Sequence, residues 1–225
     1  SLDRDPSLIG AKGPGGLAPL YWAAGSGRSD VVRLLIARGA AIDGNGDVPG
    51  TPLYCAADGG HPRCVDMLLA GGAMVDGAPG GTDTPLLAAV RNGHLCVVWR
   101  LVEGGADVNV NGGMGRTPLY WTAALGDMEV AKVLLRAGAR VDAPNSQGRT
   151  PLWMSAFCGR TELTELLIAR GADVNIADKH GCCLVQDDVF PSEKAESHAG
   201  GAAQAAGALP EVREGVMAVP RPELW

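Results

Sequence analysis

Thr117-Pro118-Leu119-Tyr120 opens a unit of 33 residues that the chain repeats without insertion or deletion. Threonine directly before proline is typical of a helix start, because the threonine side chain can cap the helix and proline fits its first turn. A fixed period of this length predicts an array of stacked units. The other four openings are Ala18-Pro19-Leu20-Tyr21, Thr51-Pro52-Leu53-Tyr54, Thr84-Pro85-Leu86-Leu87 and Thr150-Pro151-Leu152-Trp153.

Two recurring glycines divide each unit into two helices. In the unit that begins at Thr117 they are Gly126 and Gly138. They predict a first helix over Pro118 to Leu125 and a second over about Met128 to Ala137, since glycine readily takes the left-handed conformation that ends a helix. Loops rich in turn-forming residues separate the units, and we expect them to form β-hairpin-like fingers.

The register divides the chain into repeats 1 to 5 with irregular ends. Residues 18–50, 51–83, 84–116, 117–149 and 150–182 form the five repeats. We expect residues 1–17 to be a partial N-terminal repeat, because Ile9 falls in register, and residues 183–190 to be a degenerate half-repeat. Residues 191–225 carry few large apolar groups, whose burial cannot offset about 1–2 kcal/mol of ordering entropy per residue. We therefore expect that tail to be mostly disordered.

Composition excludes several classes of protein. The net charge of −6 gives no basic surface for nucleic acid. No run of eighteen apolar residues predicts a transmembrane helix, and no charged-then-apolar leader predicts a signal peptide. The six cysteines, four of them inside predicted helices, lack disulfide or zinc-site spacing, and we expect free thiols in a reducing compartment. These features predict a monomeric intracellular protein, cytoplasmic or nuclear.

The repeated unit resembles the ankyrin repeat over about residues 9–190. The segments Gly105-Ala106-Asp107-Val108-Asn109 and Gly171-Ala172-Asp173-Val174-Asn175 match the motif that closes that repeat. The resemblance implies an all-α solenoid of stacked helix–turn–helix units with β-hairpin-like loops. It also implies a concave face, formed by the fingers and first helices, that binds other proteins, with no catalytic residue, cofactor or metal.

One departure from the family is systematic. The histidine that usually follows its Thr-Pro-Leu is replaced in every repeat, which removes the hydrogen bonds that it makes between repeats. We expect aromatic stacking between units to take their place. The replacing residues are Tyr21, Tyr54, Leu87, Tyr120 and Trp153.

A catalytic interpretation finds no support in the motifs. The chain has no phosphate loop with its lysine, no His-Glu-x-x-His metal pair and no Gly-x-Ser-x-Gly nucleophile. The glycine-rich segment 112–117 precedes no lysine and belongs to a finger between repeats. His61 and His94 hold the same place in successive repeats, and we expect both to be structural.

Candidate binding residues follow from their place in the unit, since the finger tips and the residues before the first glycine face the concavity in ankyrin-like proteins. Acidic members lie toward repeat 2 (Asp47, Asp58 and Asp83, with Val48 beside them), and basic ones run toward repeat 5. Large apolar groups ringed by arginine are typical of binding hot spots. We therefore expect repeats 4 and 5 to hold an acidic protein or peptide with apolar anchors, unless Phe157 tucks against repeat 4. The protein-binding set is Arg91, Asn92, Met114, Arg116, Leu125, Gln147, Arg149, Phe157, Lys179 and His180.

Other interpretations stay open at this point. The chain could be the substrate-recognition adaptor of a larger complex such as a ubiquitin ligase, or the ankyrin fragment of a larger enzyme or channel. Asn109 and Asn175 resemble asparagines that are hydroxylated in some ankyrin-type proteins, and the alternative is that their side chains stabilise the loops.

Overall fold

A computed structural model describes residues 17–44, 50–77 and 83–181. Within these ranges ten α-helices follow one another as five pairs, and no strand is present. The partial N-terminal repeat, Asp47, Val48, the half-repeat 183–190 and the tail 191–225 lie outside the described residues, apart from residue 17. The helices are α1 Pro19–Gly25, α2 Ser29–Ala37, α3 Pro52–Asp58, α4 Pro62–Ala70, α5 Pro85–Arg91, α6 Leu95–Glu103, α7 Pro118–Leu125, α8 Met128–Arg136, α9 Pro151–Phe157 and α10 Thr161–Ala169.

The threonine of each Thr-Pro opening caps the first helix of its repeat. The side chain of Thr117 accepts a hydrogen bond from the backbone N–H of Tyr120 at 3.2 Å, and Thr51, Thr84 and Thr150 do the same in their own repeats. Ala18 leaves α1 without a side-chain cap. Helices of seven or eight residues are marginal on their own, so the caps and the packing of neighbouring repeats hold them.

The helices form two rows. The first helices α1, α3, α5, α7 and α9 pack against one another in order, and the second helices α2, α4, α6, α8 and α10 form a parallel row behind them. Fully buried alanines such as Ala57 and Ala123 let the first helices approach closely. Leucines and valines from both rows bury a core that continues along the stack, so each repeat is stabilised by its neighbours.

The turn glycines of repeats 1 and 2 make room for a histidine of the next repeat. Gly60 has φ +70°, and a Cβ there would lie 2.6 Å from the ring of His94. The His94 Nε2 lies 3.0 Å from the carbonyl oxygen of Asp58, at the end of α3. His61 makes the same contact with the Gly25 carbonyl oxygen. Both histidines are therefore structural links between repeats, as the sequence predicts.

The fingers that end repeats 3 and 4, which the structure describes in full, close like hairpins but contain no strand. The Asn145 N–H donates to the Arg149 carbonyl at 2.9 Å, and the Gly112 N–H donates to that of Arg116 at 3.1 Å. These two fingers are joined to each other by a backbone hydrogen bond from the Ser146 N–H to the Met114 carbonyl at 2.9 Å. The finger tips are thus held in fixed places beside the first helices.

A carboxylate or amide near the end of each of the first four repeats holds the following repeat. Asn109 Oδ1 accepts a hydrogen bond from the Arg140 N–H at 2.8 Å, and its Nδ2 donates to the Gly138 carbonyl at 3.1 Å. These bonds favour the loop-stabilising interpretation of Asn109. The matching acceptors in repeats 1, 2 and 4 are Asp43, Asp76 and Asp142.

Candidate interaction surface

The apolar side chains predicted for binding are exposed in repeats 4 and 5. Leu125 ends α7 and is 43% exposed, while Phe157 ends α9 and is 55% exposed. Phe157 does not tuck against repeat 4, because its ring stacks on Trp153 of its own helix, with centroids 4.9 Å apart and 13° between the planes. Met114, on the finger before α7, is also 55% exposed. Three large apolar groups therefore face solvent on neighbouring elements.

Met114 stands out through its backbone as well as its exposure. Its φ of 61° makes it the one non-glycine residue with positive φ in the described part of the chain. With Gly115 at φ 67°, it forms a tight left-handed turn that leads into Arg116. For a residue with a Cβ this conformation costs about 1–2 kcal/mol. The turn holds a flexible apolar side chain at the finger tip.

Arg116 has no carboxylate partner among the described residues. Its guanidinium lies over the ring of Trp121, 5.1 Å from the ring centroid. The residue is half-buried, and its Nε is fully buried without a hydrogen-bond partner. The finger that carries Met114 and Arg116 ends repeat 3 and leads directly into repeat 4. We therefore call the surface carried by Met114, Arg116, Trp121, Leu125 and Phe157 the inner face of repeats 4 and 5.

Arg149, the next arginine in the predicted basic row, is already neutralised. Its Nε donates to Oδ2 of Asp178 at 3.3 Å, and its guanidinium lies 4.1 Å from the ring centroid of Trp153. Asp178 is almost wholly buried and also accepts the His180 N–H through Oδ1. Arg149 therefore joins repeats 4 and 5, and the positive charge that counting residues predicts is reduced here.

Arg91 is neutralised in the same way at the other end of the row. Its Nη1 lies 3.2 Å from Oδ1 of Asp83, and its Nη2 donates to the Tyr54 hydroxyl at 3.4 Å. Asn92 caps α5 and donates to Asp58 Oδ1 at 2.9 Å. Both side chains therefore link repeats 2 and 3.

The remaining predicted residues lie on the last two fingers. The Gln147 carbonyl accepts the Lys179 N–H at 2.9 Å, so their backbones join these fingers. Lys179 and His180 are exposed, and Gln147 is half-buried. Lys179 and His180 follow Asp178 near the end of the described residues, and none of the three residues belongs to the inner face.

Aromatic rings contact arginines across the repeat boundaries. The described ring–ring pair, Trp153 with Phe157, lies within one helix, whereas Arg116 and Arg149 reach from one repeat onto a tryptophan of the next. The expectation of aromatic stacking between units is therefore wrong for the described residues, where guanidinium groups on tryptophan rings make the contacts between these repeats. Tyr120 is buried between these arginines, and burial raises its pKa although both positive charges lower it.

Sequence reasoning missed both Trp121, which is partly buried against the core and contacts Arg116, and the exposed Trp22. Trp22 in α1 is 52% exposed, and it holds the same place in repeat 1 as Trp121 holds in repeat 4. That shared place in the unit was the signal available in the sequence. The buried Asp178 was missed as the partner of Arg149, because the two residues are 29 positions apart.

The described cysteines are free thiols, as expected. Burial raises the pKa of Cys55, Cys64 and Cys158, which lowers the fraction of reactive thiolate. Cys158 follows α9 rather than lying inside a helix, since α9 ends at Phe157. Cys96 is exposed on α6.

Residues 17–44, 50–77 and 83–181 contain no group of three or more histidine, cysteine or acidic side chains placed to hold a metal ion. Nor does any helix in these ranges combine the length and apolar character that crossing a membrane requires.

Comparison with known proteins agrees with the helix pairs and their spacing. A search of curated proteins found no match. The family model described as ankyrin repeats (3 copies) matches residues 7–78 and 86–178, which is more than half of the chain. Ankyrin repeats generally mediate protein–protein interactions. With its stacked helix pairs, capped Thr-Pro openings and this match, the chain belongs to the ankyrin repeat family.

Proposed function

We infer that this chain is a non-catalytic binding module whose inner face of repeats 4 and 5 holds a protein or peptide partner. The observation that carries this is the exposure of Met114, Leu125 and Phe157 on α7, α9 and the finger that leads into α7, a finger that also carries Arg116. Exposed apolar groups and arginine on a rigid support are typical of the side chains that carry most of the binding energy at protein interfaces.

The support for these side chains is rigid, which favours binding. Leu125 and Phe157 end two helices that pack against each other, and the finger of Met114 is joined by a backbone hydrogen bond to the next finger. A surface that is already ordered loses little conformational entropy on association. We therefore expect a partner segment that inserts apolar side chains between these groups.

The adaptor interpretation adds a recruiting segment to the same binding surface. That segment would lie in residues 191–225, which are outside the described residues. The inner face needs the same kind of partner under either interpretation, so the experiment below concerns the surface alone.

The test compares partner capture by the wild type and by a variant of the inner face. In the variant, Leu125→Ser and Phe157→Ser remove two exposed apolar groups. The matched control, Leu95→Ser with Trp99→Ser, removes two exposed apolar groups from the outer helix α6. Circular dichroism must give the same helix content for all three proteins.

The expected result is that the inner-face variant loses specific partners that the wild type and the control retain. Equal capture by all three proteins would contradict the proposed surface. Loss in the control alone would move the binding site to the outer helices.

A further inference from the structure

Arg116 differs from Arg91 and Arg149, the arginines before and after it in the predicted basic row, because its charge is uncompensated among the described residues. Arg160 makes no described ion pair either, but its Nε donates to the Ala124 carbonyl at the far end of α7. Arg91 is paired with Asp83 and Arg149 with Asp178. Arg116 contacts the Trp121 ring, and its buried Nε–H lacks an acceptor. A half-buried guanidinium without a counter-charge favours an anion that arrives with a partner.

We propose that Arg116 binds one carboxylate side chain, an aspartate or glutamate, of the partner peptide held on the inner face. The inference rests on the proposed function and adds the chemistry that Arg116 recognises. Trp121 covers one face of the guanidinium, so the partner's carboxylate approaches the uncovered side or edge. Arg116 is then the specificity-determining residue, and the apolar groups supply the anchors.

The local charge balance favours a carboxylate over a phosphate. One uncompensated guanidinium matches a single negative charge, whereas a phosphate group carries about 1.5 to 2 negative charges at neutral pH. Phosphate recognition in proteins usually uses clusters of arginines. Here Arg91 and Arg149 are already engaged by Asp83 and Asp178, and Arg160 donates its Nε to the Ala124 carbonyl at the opposite end of α7, so no cluster forms around Arg116.

The geometry also sets the spacing between the acid and the apolar anchor. Arg116 precedes the first turn of α7, and Leu125 is its last residue. Eight helical residues at 1.5 Å each separate the two ends of α7 by about 12 Å. An extended peptide covers that distance in about four residues. The preferred peptide therefore carries its acidic residue about four positions from a large apolar one, if it binds extended along α7.

The experiment selects binders of the full chain from a random-peptide display library and measures them by fluorescence anisotropy. The best peptide is synthesised with its acidic residue intact, changed to the matching amide, or changed to phosphoserine. Each form is titrated with the wild type, Arg116→Gln, Arg116→Lys and Arg149→Gln. Arg149→Gln is the matched control, because it removes an arginine that stacks on tryptophan but is already paired.

The expected result is a loss of about tenfold in affinity when the peptide's acid becomes an amide, for the wild type and for Arg149→Gln. Arg116→Gln binds the acid and the amide equally. Arg116→Lys keeps part of the difference, because its charge remains while the planar stacking is lost. Circular dichroism and thermal melts establish that each variant is folded.

Three results would overturn the inference. If the loss of affinity from the acid to the amide form is unchanged in Arg116→Gln, another residue binds the peptide's carboxylate. If phosphoserine binds at least tenfold more tightly than the acid and depends on Arg116, the ligand is a phosphate. If the peptides bind Leu125→Ser/Phe157→Ser as tightly as the wild type, the inner face itself is wrong and the proposed function fails with it. The first two results leave the proposed function standing.

Discussion

The Nε of Arg149 lies 3.3 Å from Oδ2 of Asp178, a carboxylate whose side chain is only 2% exposed. The arginine belongs to repeat 4 and the aspartate to repeat 5, so the pair joins two repeats. Arg116 occupies the same place one repeat earlier and also lies over a tryptophan, but no described carboxylate meets it. Equivalent residues of the repeat thus differ in their partners: Arg149 joins two repeats, and Arg116 has the role in recognition that we propose above.

Arg149→Gln should lower the free energy of unfolding by about 2 kcal/mol, because it removes the guanidinium that pairs with the buried Asp178 carboxylate. Arg116→Gln should cost less than about 1 kcal/mol, the size of a cation–π contact. Urea denaturation followed by circular dichroism measures both. Equal losses would mean that the Asp178 pair is no more important than the ring contact.

Met114→Asn should raise the free energy of unfolding by about 1 kcal/mol, because asparagine adopts the left-handed conformation at a lower cost. The same change should weaken partner binding, since it removes an exposed apolar group. Gln147→Asn is the control, because Gln147 holds the equivalent place in the next finger without positive φ. A gain of the same size in the control would show that strain at Met114 is not its source.

The features that sequence reasoning predicted well depend on local signals. The first helix of repeat 4 was expected over Pro118 to Leu125, which are its bounds in the structure. Thr117 and Gly126 mark its ends through short-range hydrogen bonds and backbone preference, so one repeat suffices to place them. The family and the all-α architecture follow from the same signals repeated every 33 residues.

The charge state of the candidate surface depends on long-range pairing that spacing alone does not determine. Counting arginines along the unit predicted a basic row, whereas two of them meet carboxylates in the folded chain. Arg91 pairs with Asp83, which is only eight positions away. Asp83 precedes α5 and Arg91 is its last residue, so the spacing of residues along one helix does not predict the pair. The positive φ of Met114 was also missed, because methionine seldom occupies that conformation.

Ala18→Thr should stabilise the chain by about 1 kcal/mol, because it supplies the side-chain cap that α1 lacks. The other four repeats show that a threonine fits at this place in the unit. Thermal melts should give a higher midpoint for Ala18→Thr, and Thr117→Ala should lower it by a similar amount. An unchanged midpoint in Ala18→Thr would mean that α1 contributes little to the cooperative unit.

Asp142→Asn should also stabilise the chain, and more strongly at pH 7 than at pH 4. Desolvation raises the pKa of Asp142, and the charge of Asp173 adds to the effect, although the bond from the Asp173 N–H opposes it. A folded-state pKa above the unfolded value means that stability is greatest below the unfolded pKa and falls as the pH rises through the folded one. The amide removes that penalty and still accepts the Asp173 N–H.

Repeat 3 supplies the matched control, because Asn109 already occupies the place that Asp142 holds in repeat 4. The new amide in Asp142→Asn can donate to the Gly171 carbonyl, as Asn109 Nδ2 does to Gly138, which adds about 1 kcal/mol. The reverse change, Asn109→Asp, should therefore cost about 1 kcal/mol at pH 7. Urea denaturation at both pH values measures the two variants. If Asp142→Asn gave the same gain at pH 4 as at pH 7, the added hydrogen bond alone would account for it, and the desolvated carboxylate would not.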